Sequence, residues 1–307
     1  MLTSFFEKSN PINYVIIGVF ICFGYILGGF RDFPEMLTLS ALGMHFLFMA
    51  LMVFGMFLLD FLIRKNHLTK NNTFGIFCFG CFIVMLPVVF TERQFIIAML
   101  FLLLGFRRIL SLTSERNVEK KILDASLWVG IATFFYFWSI LFFAVLFFQI
   151  LQQKHATYKH LIIPFVGVLV VASIASAYWL VAHDMFPQWR SFTDNTEVDY
   201  STYHKTSVLL PASILGALLV WATGNKLMKL SRSGKKSKPN QIILIIALAT
   251  MAVISLAAPT KSGGELLFVL PPLAIVVANY LERVKEYWFR EGLLWMLLVT
   301  AVVMVFL

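Results

Sequence analysis

ILDASLWVGIATFFYFWSILFFAVLFFQIL, Ile122 to Leu151, is too long for one comfortable membrane helix and too short for two. A single helix of this length would overrun a hydrocarbon core of about 30 Å, whereas a half of about 15 residues reaches only about 22 Å. The distribution of positive charge separates the two readings, because short loops on the cytoplasmic side collect Lys and Arg. If the stretch crosses twice and residues 1–11 lie inside, then segments 1–11, 60–72, 107–121, 152–160, 224–240 and 282–291 carry 20 of the 25 Lys and Arg. With one crossing every later loop inverts and the count falls to 12 inside against 13 outside, which is no bias. The sequence therefore predicts two short passes, broken around Phe134 to Ser139.

The remaining apolar runs fall on either side of this stretch. Ile12–Gly29, Met36–Leu59, Thr73–Phe90 and Gln94–Phe106 precede it. Leu161–Ala182, Ser207–Thr223, Gln241–Ala258, Leu266–Leu281 and Gly292–Leu307 come after it. Together they predict an all-α, polytopic integral membrane helical bundle of about 11 transmembrane helices in a single domain, residues 1–307, with the N-terminus cytoplasmic and the C-terminus periplasmic. Residues 1–11 hold Glu7, Lys8 and Pro11 without a basic n-region or a cleavage site, so they are read as a short interfacial segment with Leu2, Phe5 and Phe6 on one face rather than as a signal peptide.

Composition agrees with that class. The chain is 60% hydrophobic and 13% charged over 307 residues, against about half and about a quarter in soluble chains. Its mean hydropathy is +0.84. These values exclude a water-soluble dinucleotide-binding or barrel enzyme, a disordered scaffold and a secreted disulfide module. The net charge of +9 comes from short loops and forms no folded basic patch, so no nucleic-acid partner is expected. Cys78-x-x-Cys81 has redox spacing but no polar neighbours, and reads as helix filler.

Chemistry must then come from a few polar residues on the outer side. Asp32 and Glu35 flank Pro34 just after the first span, where two carboxylates could supply a general base or bind a divalent metal; a hydrated turn neutralised by Arg31 is the plainer reading. Glu92 and Arg93 form a second outward acid–base pair in a very short turn. In Pro259-Thr-Lys-Ser-Gly-Gly-Glu265, glycines let backbone N–H groups approach a ligand, and Lys261 adds positive charge beside Glu265. That combination suits a phosphate, or equally a flexible connection. The outer loop 183–206, with Trp189, Tyr203 and His204, suits sugar or headgroup contact, or interfacial anchoring. His45, mid-span, is read as a hydrogen-bonded packing residue. Asp60 and Asp124 sit at inner ends within reach of Arg64 and Lys121. The basic loop 224–240 would attract anionic headgroups, although topology alone accounts for it.

Particular residues carry two resemblances. Phe5-Phe-Glu-Lys-Ser-Asn-Pro-Ile-Asn-Tyr14, Ile122-Leu-Asp-Ala125 leading to Ala132-Thr-Phe-Phe-Tyr-Phe137, and Glu265-Leu-Leu-Phe-Val-Leu-Pro-Pro-Leu-Ala274 resemble an uncharacterised multi-pass inner-membrane family of flavobacteria-type Bacteroidota. More distantly, Asp32 or Glu35, the break at Phe134–Ser139 and the stretch Lys261–Ala274 are similar to the C-type glycosyltransferase (GT-C) fold, whose members use polyprenyl-phosphate sugars. The first loop here is only a few residues long, the usual acidic doublet is absent, and the late segment lacks that family's typical arginine and tyrosine. The resemblance implies a glycosyltransferase of the cell envelope with Asp32 or Glu35 as its acidic residue, and the outward acids as a set make Asp32, Glu35 and Glu92 the candidate catalytic carboxylates. Arg93, Lys261, Glu265, Trp189, Tyr203 and His204 would then bind substrate. No cofactor is fixed by the sequence beyond a divalent metal option at the acids and a polyprenyl-phosphate lipid as substrate. The other reading is a non-enzymatic membrane partner or scaffold serving envelope assembly, secretion or gliding, with membrane lipid and a second membrane protein as its partners.

In a variant freed of its three native cysteines, an impermeant thiol reagent applied from outside should tag a cysteine at position 261 and miss one at 235. The reverse pattern would invert the orientation.

Overall fold

The structure is a computed structural model that describes residues 1–29, 38–183, 201–230, 238–258 and 261–307. Its first helices are α1 (Leu2–Phe6), α2 (Pro11–Gly29), α3 (Leu39–Lys65), α4 (Phe74–Val84), α5 (Arg93–Ser111) and α6 (Val118–Phe135). The others are α7 (Phe143–Leu151), α8 (Tyr158–His183), α9 (Thr206–Leu230), α10 (Lys238–Ala257), α11 (Leu270–Leu281) and α12 (Tyr287–Phe306). Among the described residues there is no strand. Seven helices, α2, α3, α5, α8, α9, α10 and α12, are long and apolar enough to cross a membrane, α5 together with the turn after it. The protein is a membrane protein on these grounds. α4, α7 with its leading turn, and α11 are shorter apolar helices, and α6 begins with charged residues.

Ile122–Leu151 breaks at Tyr136, whose backbone is extended (φ −145°, ψ 106°), and continues as a 3₁₀ turn, Phe137–Phe142, into α7. The contacts of α6 with α8 fix the direction of the chain beyond the break. Gly167 lies against Ser126, Gly130 lies against Val171, and Phe134 shares a groove with Ala175. The offset of 41 residues is the same at all three levels, so α6 and α8 run parallel. Parallel neighbours require the intervening chain to come back, and the turn with α7 does so over about 25 Å at 2.0 and 1.5 Å per residue. The doubling-back expected from charge is therefore a feature of the fold.

α4 and α11 occupy the centre. Every residue of α4 is buried, as is every residue of α11 except Tyr280. Each is joined to a 3₁₀ turn, Pro87–Phe90 after α4 and Gly264–Phe268 before α11, and the two turns touch, with Val88 against Gly263. Pro271 and Pro272 stand in the first turn of α11, where a missing N–H leaves no helical hydrogen bond unmade. Cys78 and Cys81 lie fully buried in α4 as packing groups. Short interrupted helices are tolerable here because protein, not lipid, surrounds them.

At one end of the bundle the loops expected to be cytoplasmic are tied together. Glu282 Oε1 accepts from the Lys70 amide (2.8 Å), and Asn240 and Gln241 donate to the carbonyls of Asn66 and Leu68. Asp60 pairs with Arg64 at 2.7 Å and accepts from Tyr14, while Arg64 also reaches Ser9. Asp124 pairs with Arg108 at 2.9 Å rather than with Lys121, whose ammonium instead donates to the Ser111 carbonyl (2.7 Å) and to Ser114. α1, within the segment read as interfacial, keeps Phe5 exposed and also packs on the bundle. Phe6 is buried against Phe77, its carbonyl accepts from the Thr73 amide, and Glu291 of α12 accepts the Leu2 and Thr3 amides at 2.7 and 2.9 Å. Its free N–H groups find a carboxylate partner inside the protein, so the helix docks onto the bundle.

A Cβ on Gly167 would meet Ser126 Oγ at 2.0 Å and Ser126 Cβ at 2.7 Å, whereas one on Gly216 meets nothing within 4 Å. Gly167→Ala should lower stability by about 1–3 kcal/mol, read as a fall in unfolding midpoint, and Gly216→Ala should leave it unchanged or raise it slightly.

Candidate functional site

At the end of the bundle away from these basic loops, five pieces of chain converge. They are the end of α10, the segment Lys261–Phe268, the start of α5, the break at Tyr136 and a 3₁₀ turn, Ser201–His204. An aromatic floor holds them together. Tyr136 stacks on Phe268 with centroids 5.0 Å apart, and Phe95 meets both edges at 5.0 and 5.8 Å. Gly263 has φ +90°, and Gly264 packs so closely on Glu92 that a Cβ there would lie 2.6 Å from its Cγ. Glycine is needed at the first for its backbone and at the second for lack of space.

Glu265 is 1% exposed and both of its carboxylate oxygens are engaged. Oε1 accepts from the Tyr203 hydroxyl at 2.7 Å and Oε2 from the Gly263 amide at 2.8 Å. Its own carbonyl accepts from Ser255 Oγ at 2.6 Å. Lys261, 5% exposed, donates to the carbonyls of Ser255 and Leu256, both at 2.8 Å. The ammonium thereby caps the C-terminal end of α10, where a positive charge also meets the helix dipole favourably. Burial pulls its pKa below the ordinary lysine value, and Glu265 nearby opposes that shift.

The structure thus brings Glu92, Tyr203, Lys261 and Glu265 together. It turns Arg93 away, with its guanidinium 5.6 Å from the centre of the Phe48 ring. His204 is exposed. Asp32, Glu35 and Trp189 lie outside the described residues, and the divalent-metal option goes with the first two. Among the described residues no group of three or more His, Cys, Asp or Glu could hold a metal ion. His45 bonds Tyr25 through Nδ1 at 3.3 Å, a packing role. Sequence reasoning does not find Tyr136 and Ser255 as members of this cluster. Tyr136 carries a signal, since it is a hydroxyl within a run of aromatics at the break, and its OH donates to the Ile254 carbonyl at 3.4 Å. Ser255 has no such mark.

A model for a family of unknown function, DUF6427, matches residues 35–307. The chain belongs to that family. No curated protein and no solved structure matches this DUF6427 chain.

A void in the DUF6427 chain lies elsewhere. It is an apolar groove of about 580 Å³ between α6 and α8, walled by Leu127, Trp128, Phe134, Val171 and Ile174. Arg108 and Asp124 stand at one end and Tyr178 at the other.

Because Glu265 holds two donors from separate segments, Glu265→Ala should cost roughly 2–4 kcal/mol by leaving the Tyr203 hydroxyl and the Gly263 amide unpaired. Glu265→Gln, which keeps one acceptor, should cost about half as much. Thermal unfolding in mild detergent measures both.

Proposed function

We propose that the protein is a non-enzymatic membrane partner or scaffold for cell-envelope assembly or secretion, held in the inner membrane with its basic end cytoplasmic. The observation that carries this reading is the state of Lys261 and Glu265. A general base or a phosphate clamp must be reached by substrate, whereas here the carboxylate is buried while holding two donors from its own chain, and the ammonium is buried on two carbonyls at the end of α10. The groove between α6 and α8 supports a second reading, a GT-C-like transferase of a polyprenyl-phosphate-linked saccharide, because its walls suit a hydrocarbon chain. In that case Asp32 would serve as base or metal ligand, with Glu35 and Glu92 orienting the acceptor.

Substitution and purification separate the two. The partner reading expects Asp32→Asn to leave envelope glycans unchanged at normal protein level, with a second membrane protein recovered at fixed stoichiometry and no polyprenyl phosphate in the extracted lipid. Loss of a glycan in Asp32→Asn at full protein level, with polyprenyl phosphate bound to the purified wild type, would replace it by the transferase reading.

A further inference from the structure

At the basic end, α9 and α11 enclose a cationic side chain whose burial the topology of the basic loop does not require. Lys226, in the last turns of α9, is 4% exposed, and its ammonium makes no hydrogen bond among the described residues. It lies in a crevice with Asn225, Asn279, Tyr280 and Arg283 that is too narrow to hold a water molecule. The surrounding groups add positive charge. Arg283 is a second cation at the rim, and Asn279 gives its amide N–H to the Ile275 carbonyl at 2.8 Å. The neighbouring acid, Glu282, takes the Lys70 amide and the Asn72 side chain on Oε1 and makes no hydrogen bond to Lys226. An unpaired ammonium is costly in such a place, so the amine either sheds its proton or leaves the crevice, and the lysine stem is long and flexible enough to carry it to the rim.

We propose that Lys226 and Arg283 form a binding site for a phosphate-bearing anion at the mouth of this crevice. Arg283 supplies a planar fork matched to two phosphate oxygens, and Lys226 swings outward to add a compact charge. Asn225 stands beside them as a neutral donor. The site lies at the opposite end of the molecule from the Lys261–Glu265 cluster and does not depend on either reading of that cluster. The phosphoryl group comes either from an anionic lipid headgroup or from a soluble phosphate, and the two sources are separable.

The experiment measures the unfolding midpoint of the full chain in two settings. In an uncharged detergent, sodium phosphate is compared with sodium chloride at matched ionic strength. In vesicles, phosphatidylcholine alone is compared with an equal mixture of phosphatidylcholine and phosphatidylglycerol. The site predicts a rise of about 3 °C or more at saturation in at least one setting. A rise only with phosphatidylglycerol assigns a lipid source, and a rise only with inorganic phosphate a soluble one. Lys226→Met and Arg283→Met should each abolish the rise, and Lys226→Arg should retain it. Should Lys226→Met fail to fold, the Arg283→Met variant at the rim is decisive alone. No rise in either setting, or a rise that survives Arg283→Met, overturns the proposal.

Discussion

An apolar bundle cannot leave backbone N–H and C=O groups unpaired where the chain stops being helical, and among the described residues the chain stops at three places within the core. At Tyr136 the break is closed locally, with the Tyr136 amide on the Ala132 carbonyl and the Ser139 amide on the Tyr136 carbonyl. At Leu86–Phe90 and Gly264–Phe268 the same work is done by 3₁₀ bonds, supplemented by the Ser255 hydroxyl on the Glu265 carbonyl. Everything else is arranged so that these breaks meet protein. α4 and α11 sit at the centre, their turns in contact, and the aromatic rings of Phe95, Tyr136 and Phe268 pack beside them.

The same requirement explains why the polar groups at that end look like a site and behave as a fastening. A lysine, a glutamate and a tyrosine gathered over a glycine turn are the materials of an anion-binding loop. Here the lysine completes the carbonyls at the end of α10, and the glutamate joins the turn to the segment before α9. Each charged group is buried on neutral partners of its own chain. Lys226 is the opposite case, the same residue type buried with no acceptor among the described residues.

Much of the architecture is legible in hydropathy and charge because both act on whole segments. The break in Ile122–Leu151 emerges from the counts of Lys and Arg, and the parallel packing of α6 with α8 is its geometric counterpart. Segment averages miss the partner of an individual side chain. Proximity in sequence pairs Asp124 with Lys121, but the last turn of α5 places Arg108 closer in space. Phe6 looks like a surface anchor beside the exposed Phe5 because nothing local shows that α4 offers Phe77. Lys261 and Glu265 are recognisable as unusual, yet their hydrogen-bond partners at Tyr203 and Ser255 depend on how distant segments fold over them. In the sequence Lys226 is only one positive charge among six in its loop.

The grip of Glu291 on the backbone of Leu2 and Thr3 bears on how the molecule is made. On a ribosome Leu2 and Thr3 emerge long before residue 291, so α1 can pack on α4 early while its first amides wait for their carboxylate. The fastening of α1 to α12 is therefore a late event of biogenesis, timed by the arrival of Glu291.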